Sequence, residues 1–185
     1  CKNYDGDVQS DSIAQGFGME VLMCDTFPAQ DLEGEHAHYA PFDEVIARAD
    51  IITLHAPYTP ENHHMLGADQ FTRMKRGIIV INTARGELID TAALLDALRS
   101  EQVGGAGLDV LEGERNLRAE DEVVRTSTSI QDLKTLIREH ELMNMPRVIV
   151  TPHMAFYSRE AYRDILETTA ANILAFATGT PQNVA

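Results

Sequence analysis

The sequence has little cysteine, few basic residues and no long apolar run, and each shortage excludes a class of function. Two cysteines, Cys1 and Cys24, in 185 residues make neither a disulfide framework nor a cysteine-based metal cluster. A reducing compartment is therefore expected, and cytoplasmic localisation with it. No apolar run approaches the roughly 20 residues that cross a bilayer. No basic, apolar leader opens the chain, so secretion is not indicated. The first residue is not Met, so the natural start of the gene is expected elsewhere. Only 15 Lys and Arg stand against 29 Asp and Glu, giving a formal net charge of −14. Such a surface repels nucleic-acid phosphates and anionic lipid, so neither nucleic acid nor membrane is an expected partner. An anionic substrate would need its own local cation. The sequence also lacks internal repeats and low-complexity tracts.

What is there is a globular pattern, 44% hydrophobic, in which short apolar runs alternate with helical ones. Met19 to Cys24 reads as a strand, Phe42 to Ala49 as a helix, and Ile51 to His55 as the next strand. Gln70 to Lys75 is predicted helical, with Gly77 breaking the chain before the strand Ile78 to Ile81. Asp90 can cap a helix through Arg99, with Leu94, Leu95 and Leu98 on one face. Gly104 to Val110 is a small-residue strand, Ile130 to His140 a helix, Val148 to Val150 a last strand, and Ser158 to Thr178 a long closing helix. Gly113 to Thr128, charged and rich in Thr and Ser, reads as a surface loop. Strands separated by helices predict an α/β fold with a doubly wound parallel sheet covered on both faces. Ligands of that class bind outside the carboxyl ends of the strands. The polar residues that end strands are then the ones to weigh: Asp25, His55, Asn82, Asp109 and, after Thr151-Pro152, His153.

Asp25 closes a strand after Gly16-Phe17-Gly18, where a carboxylate can accept hydrogen bonds from ribose hydroxyls and repel a 2′-phosphate. Taken alone it reads as an ordinary Asp in a turn. Arg85 follows Asn82-Thr83-Ala84 and precedes Gly86, which puts a guanidinium at the sheet mouth, able to grip a carboxylate with two parallel hydrogen bonds. A surface loop arginine is an equal alternative. Asp109 and Glu114 could orient a histidine or bind a cofactor amide, or simply belong to an acidic loop. His153 is placed for proton transfer near neutral pH, or is a satisfied structural histidine. His36, His38, His63 and His64 read as surface residues, and Asn62-His63-His64 lacks metal-ligand spacing, so no metal is expected. In combination the set is specific. Arginine, glutamate and histidine each follow a predicted strand on the same edge of one sheet, and together they supply a carboxylate clamp, a proton donor and an acid to hold the donor protonated.

These motifs resemble one family. Asn82 to Asp90 looks like the arginine motif of the D-isomer-specific 2-hydroxyacid dehydrogenases, Gly107 to Glu114 like their glutamate motif and Thr151-Pro152-His153 like their histidine motif. Leu54 to Pro57 and Gly16 to Met19 match as well, so the resemblance runs from about Ile13 to the C-terminus. Thr151 to Tyr157 is most similar to D-lactate dehydrogenases. The resemblance implies an NAD-dependent enzyme interconverting D-lactate and pyruvate. Arg85 would bind the substrate carboxylate, and His153 would protonate the ketone oxygen as hydride arrives from NADH. Glu114 would hydrogen-bond His153 and keep it protonated. Asp25 would hold ribose and Asp109 the nicotinamide end. Ala56, Pro57, Asn62, Thr83 and Ala84 would line the cofactor cleft, and Phe156 the substrate pocket. Homodimers are expected of the full-length family. Larger D-2-hydroxy acids are the alternative substrates. A non-catalytic fragment or an NAD-sensing binding module of the same fold is the alternative function.

The chain departs from the family at its start. The family's Gly-x-Gly-x-x-Gly loop, aligned without gaps, falls with its glycines on Lys2, Tyr4 and Asp7, with Gly6 out of phase. Asp5, Asp7 and Asp11 would place carboxylates where a pyrophosphate should approach a helix N-terminus. The fold expected is therefore an incomplete Rossmann-like sheet, its first strand and glycine loop missing. Its parts are an atypical segment 1–12, a partial NAD-binding domain 13–153, and a helix 154–185 that in the family returns to a substrate domain. Loss of a central strand predicts unpaired strand edges and an exposed apolar face.

Overall fold

The computed structural model describes residues 12–29, 32–112, 130–155 and 157–183. The first eleven residues, the charged segment 113–129, and with it Glu114, and Phe156 all lie outside the described residues. The chain divides into two compact units, Cys1–Val150 and Thr151–Ala185, taken here one at a time.

The first unit holds six short strands: β1 (Val21–Met23), β2 (Ala37–Tyr39), β3 (Ile51–Leu54), β4 (Ile78–Asn82), β5 (Val103–Leu108) and β6 (Val148–Val150). Its helices are α1 (Phe42–Arg48), α2 (Ala68–Arg73), α3 (Thr91–Arg99) and α4 (Ile130–Met143). All strand pairs are parallel. β3-β4-β5-β6 form one sheet in that order, and β1-β2 a second. Among the described residues β1 pairs only with β2, and β3 only with β4. Among the described residues the strands therefore form two separate sheets.

Parallel register puts paired residues on the same face. Ile52, Leu54, Val80, Ala106 and Leu108 point into one core with Ile46 of α1, Phe71 of α2, Leu94, Leu95 and Leu98 of α3 and Leu142 of α4. All four helices thus cover one face, and each fully buried Leu or Ile there contributes about 1.5–3 kcal/mol. The other face carries the row Thr53, Ile81, Gly107, Ile149 and the row Ile51, Ile79, Gly105. On it Ile149 is 72% and Ile51 42% exposed. Among the described residues of the first unit, α1 to α4 cover the opposite face.

Local chemistry sets the element ends. Asp90 caps α3 as expected, its carboxylate accepting from the Ala92 and Ala93 amides at 2.9 and 3.1 Å. α2 starts two residues earlier than the sequence suggests, because the Gln70 side chain reaches back to the Gly67 amide at 3.1 Å. β5 stops at Leu108, two residues short of the expected Val110. β2 was not anticipated: Ala37-His38-Tyr39 is too short and too polar to announce a strand. Gly77, at φ 84, makes the turn into β4 that a residue with a Cβ would resist.

The second unit is built on α5 (Arg159–Ala177). Ser158 caps it, its hydroxyl oxygen accepting from the Ala161 amide at 3.1 Å. No residue of α5 is buried, and Tyr162, Ile165, Leu166, Ile173, Leu174 and Phe176 are all exposed.

The core assignment has a direct test in urea unfolding. Leu98→Ala should cost about 2–5 kcal/mol, as buried leucines do. Ile149→Ser should change stability by less than about 1 kcal/mol and lower the fluorescence of a bound apolar dye. Equal costs at the two positions would overturn the assignment of faces.

Candidate active site

The ends of the parallel strands define the site. Leu54, Asn82, Leu108 and Val150 lie in one register row, each the last residue of its strand. His55, Thr83 and Asp109 therefore leave the sheet at one level on one edge, the edge at which this fold class binds ligands.

Arg85 is exposed, but the turn carrying it is fixed from below by Asn82. The Asn82 side chain is buried, at 1% exposure. Its Oδ1 accepts from the Ala84 amide at 3.0 Å, and its Nδ2 donates to the Arg85 carbonyl at 2.8 Å. Its carbonyl accepts from the Asp109 amide at 2.9 Å, which ties the arginine turn to the end of β5. The guanidinium donates to the Ala84 carbonyl at 2.6 Å through one nitrogen. Gly86 is required next: a Cβ there would overlap the backbone of Leu111 and Glu112. Thr83 is exposed, while Ala84 puts its methyl into the core, so a ligand could meet Ala84 only through its backbone.

Around β3 the cleft-lining calls fall on a short loop. Ala56 is half-buried and Pro57 exposed. The Asn62 amide is committed to the loop itself, accepting from the Thr59 amide and donating to the Pro57 carbonyl, both at 2.8 Å. Its part is to shape the loop that presents Ala56 and Pro57. Asp25 lies just past β1, exposed, with Oδ1 accepting from the Phe27 amide at 2.7 Å. An acceptor carboxylate at a strand end suits a ribose hydroxyl pair, so the described residues fit the adenosine side of a dinucleotide. The positions onto which the family's glycine loop aligns, Lys2, Tyr4 and Asp7, lie outside the described residues. Asp109 is buried at the end of β5.

Glu112 and His64 carry more than the sequence suggested. Glu112 Oε1 lies 2.8 Å from His64 Nε2, and its Oε2 accepts from the Thr91 hydroxyl at 2.7 Å and the Thr91 amide at 3.3 Å. His64 is thus a partly buried, paired residue rather than a surface one. The signal for the pair was slight: two polar residues 48 positions apart.

His153 belongs to the second unit. It is half-buried, in the left-handed backbone region at φ 51, with its amide donating to the Thr151 carbonyl at 3.0 Å. A residue with a Cβ gives up roughly 1–2 kcal/mol to sit there.

Residues 9–155 match the NAD-binding domain of the D-isomer-specific 2-hydroxyacid dehydrogenases. The chain belongs to this family. It is 40% identical over 167 residues to a 2-hydroxyacid dehydrogenase homolog of Haemophilus influenzae, covering 90% of this chain and 48% of that protein. It is 41% identical over 162 residues to a D-specific alpha-keto acid dehydrogenase of Enterococcus faecium, covering 88% of this chain and 47% of the relative. Among solved structures, the Aquifex aeolicus D-lactate dehydrogenase complexed with NAD and lactic acid matches with a TM-score of 0.82 at 35% identity, over 92% of this chain and 50% of that one. The chain spans about half the length of these relatives. Arg85, Asp109 and Asp25 take their places from the strand ends described above.

Two outcomes check the site's construction. Asn82→Ala should destabilise by about 1–3 kcal/mol in urea, because it leaves the Ala84 amide and Arg85 carbonyl without a partner. The Cys24 thiol is raised above its ordinary pKa, first by partial desolvation and then by the Asp25 charge. Its alkylation should therefore need a higher pH than a free thiol does, and Asp25→Asn should move the midpoint part of the way back. An unmoved midpoint would place Asp25 away from Cys24.

Proposed function

We propose that this chain provides the cofactor side and the reacting side chains of an NAD-dependent oxidoreductase that interconverts D-lactate and pyruvate. The observation that carries the reading is the exposed Arg85 guanidinium on a turn held rigid by buried Asn82 at the carboxyl edge of the sheet. A fixed cation at that edge, in a chain with a net charge of −14, is the local attraction a 2-keto acid needs.

When bound, NADH supplies a hydride to the keto carbon. The residues of the chain do the rest. Arg85 pairs with the substrate carboxylate, which orients the ketone and strengthens its polarisation as negative charge develops on the oxygen. His153 delivers a proton to that oxygen and takes it back in the oxidation of lactate. Glu114 is assigned to keep the imidazole protonated. Asp25 holds the ribose hydroxyls, Asp109 the nicotinamide end, and Ala56, Pro57, Thr83 and the Ala84 backbone line the cofactor. Phe156 is assigned to the substrate pocket. Because the chain spans about half the length of its relatives, turnover is proposed for the protein carrying both halves. The family's homodimer is proposed for that protein too. Larger 2-keto acids are the second substrate reading, supported by the 38% identity to an aromatic 2-oxoacid reductase of Clostridium sporogenes.

NADH titration followed by ligand fluorescence tests the cofactor assignment. Saturable binding should appear, should slow alkylation of Cys24, and should weaken at least about tenfold in Asp25→Ala, which removes a charged acceptor. In the protein carrying both halves, pyruvate-dependent loss of NADH absorbance tests the rest, with Arg85→Gln expected to lower the rate by about 10²–10³. Failure to bind NADH would end the proposal. Binding without turnover would turn the reading to an NAD-binding module.

A further inference from the structure

His63 and His64 are neighbours in the chain and make no metal site by themselves. The fold adds a third donor, Glu112, 48 residues beyond His64. One ligand atom from each of the three lies within 4.8 Å of the others. From this cluster we infer that His63, His64 and Glu112 bind a divalent transition ion of the zinc class. The site lies outside the proposed dehydrogenase machinery and does not depend on it.

The arrangement around the donors supports the inference. Glu112 presents Oε1 to His64 Nε2 at 2.8 Å, while Oε2 is engaged by the Thr91 hydroxyl at 2.7 Å. His64 turns its other ring nitrogen, Nδ1, toward Asp90 Oδ2 at 3.9 Å. His63 Nδ1 lies 3.4 Å from the Tyr58 hydroxyl, which leaves Nε2 for an ion. Glu112 is thus oriented by a second hydrogen bond, as the ligands of protein metal sites are, and each imidazole has a polar group near its other ring nitrogen. His64 adopts the left-handed backbone region at φ 54, with its amide held by the Glu87 carbonyl at 2.9 Å. Two imidazoles and one carboxylate suit zinc and its neighbours, and suit the hard, oxygen-seeking magnesium and calcium poorly.

Two adjustments are needed: the ion displaces the proton shared by His64 and Glu112 at 2.8 Å and parts the two atoms, and the His63 ring tilts. The two imidazoles stack, with centroids 3.8 Å apart and planes inclined by 23°. Stacked rings aim their lone pairs side by side. In a tetrahedral site with metal–nitrogen bonds of about 2.0–2.1 Å, donor atoms stand about 3.3 Å apart with converging lone pairs. His63 is exposed, so its ring can tilt over the ion without disturbing the core. Solvent completes the coordination. Bound there, the ion would join the loop after β3 to the segment after β5, two segments that flank the Arg85 turn.

The test is a calorimetric titration of the chelator-treated chain with zinc chloride at pH 7.5, repeated with cobalt(II) to read its visible absorption. One ion per chain should bind, the cobalt complex should show the intense bands of four-coordination, and the thermal midpoint should rise with zinc concentration. His63→Ala should weaken binding at least about tenfold while leaving the metal-free midpoint in place. Glu112→Gln should weaken it as well, and His38→Ala should leave it unchanged. Affinity should fall as the pH is lowered, because protons compete for the imidazoles. No saturation by a zinc concentration on the order of 1 mM would overturn the inference. So would binding that survives His63→Ala, or binding that depends on His38, since either result means adventitious surface histidine binding only.

Discussion

The close approach of Gly86 to the backbone of Leu111 and Glu112 is the contact on which the carboxyl edge of the sheet depends. Only a residue without a Cβ lets two connecting segments pass at that distance. One leaves β4 with Arg85, and the other leaves β5 toward Glu114. Neighbouring hydrogen bonds fix the same juncture: Asp109 to the Asn82 carbonyl from one side, Thr91 to Glu112 from the other. The parallel register of β4 and β5 brings the strand ends level, and the glycine lets the loops beyond them interlock. Arg85 can then be exposed and positioned at once, which a flexible surface arginine could not be.

Much of this was legible in the sequence because it is local. The apolar run Val148 to Val150 gave its strand to the residue, and Asp90 and Ser158 gave their helix starts, since a cap is a short-range hydrogen bond written in one side chain. The strand-ending polar residues stood out for the same reason. What was hidden was long-range or weakly patterned. β2 has three residues with one buried side chain, too little for a period to show. Asn82 looked like any polar strand end until its burial and its two hydrogen bonds to the next turn gave it a task. The His64–Glu112 pair needed the fold to bring its members together, so the histidine had read as solvated surface. Asn62 looked like a ligand contact, and its amide is spent on its own loop.

α1 to α4 gather on one face of the four-stranded sheet, and the other carries Ile51, Ile79, Ile81 and Ile149 beside two glycines, Gly105 and Gly107. The unpaired edges of β1 and β3 among the described residues belong to the same description. Both follow from the order of the elements. α1 to α4 connect the strands from β2 to β6 and can reach only one side of them, because successive parallel crossovers keep one hand. A doubly wound sheet covers its second face with elements from its other half.

His153 sits where the backbone would be more relaxed with glycine or asparagine, since only those residues visit the left-handed region at little cost. The chain keeps an imidazole there nonetheless. A chain selected for folding alone would drift away from histidine at this position, gaining roughly 1 kcal/mol as it did so. Redesign for stability alone would be drawn to the same substitution and would remove the imidazole proposed to carry the proton.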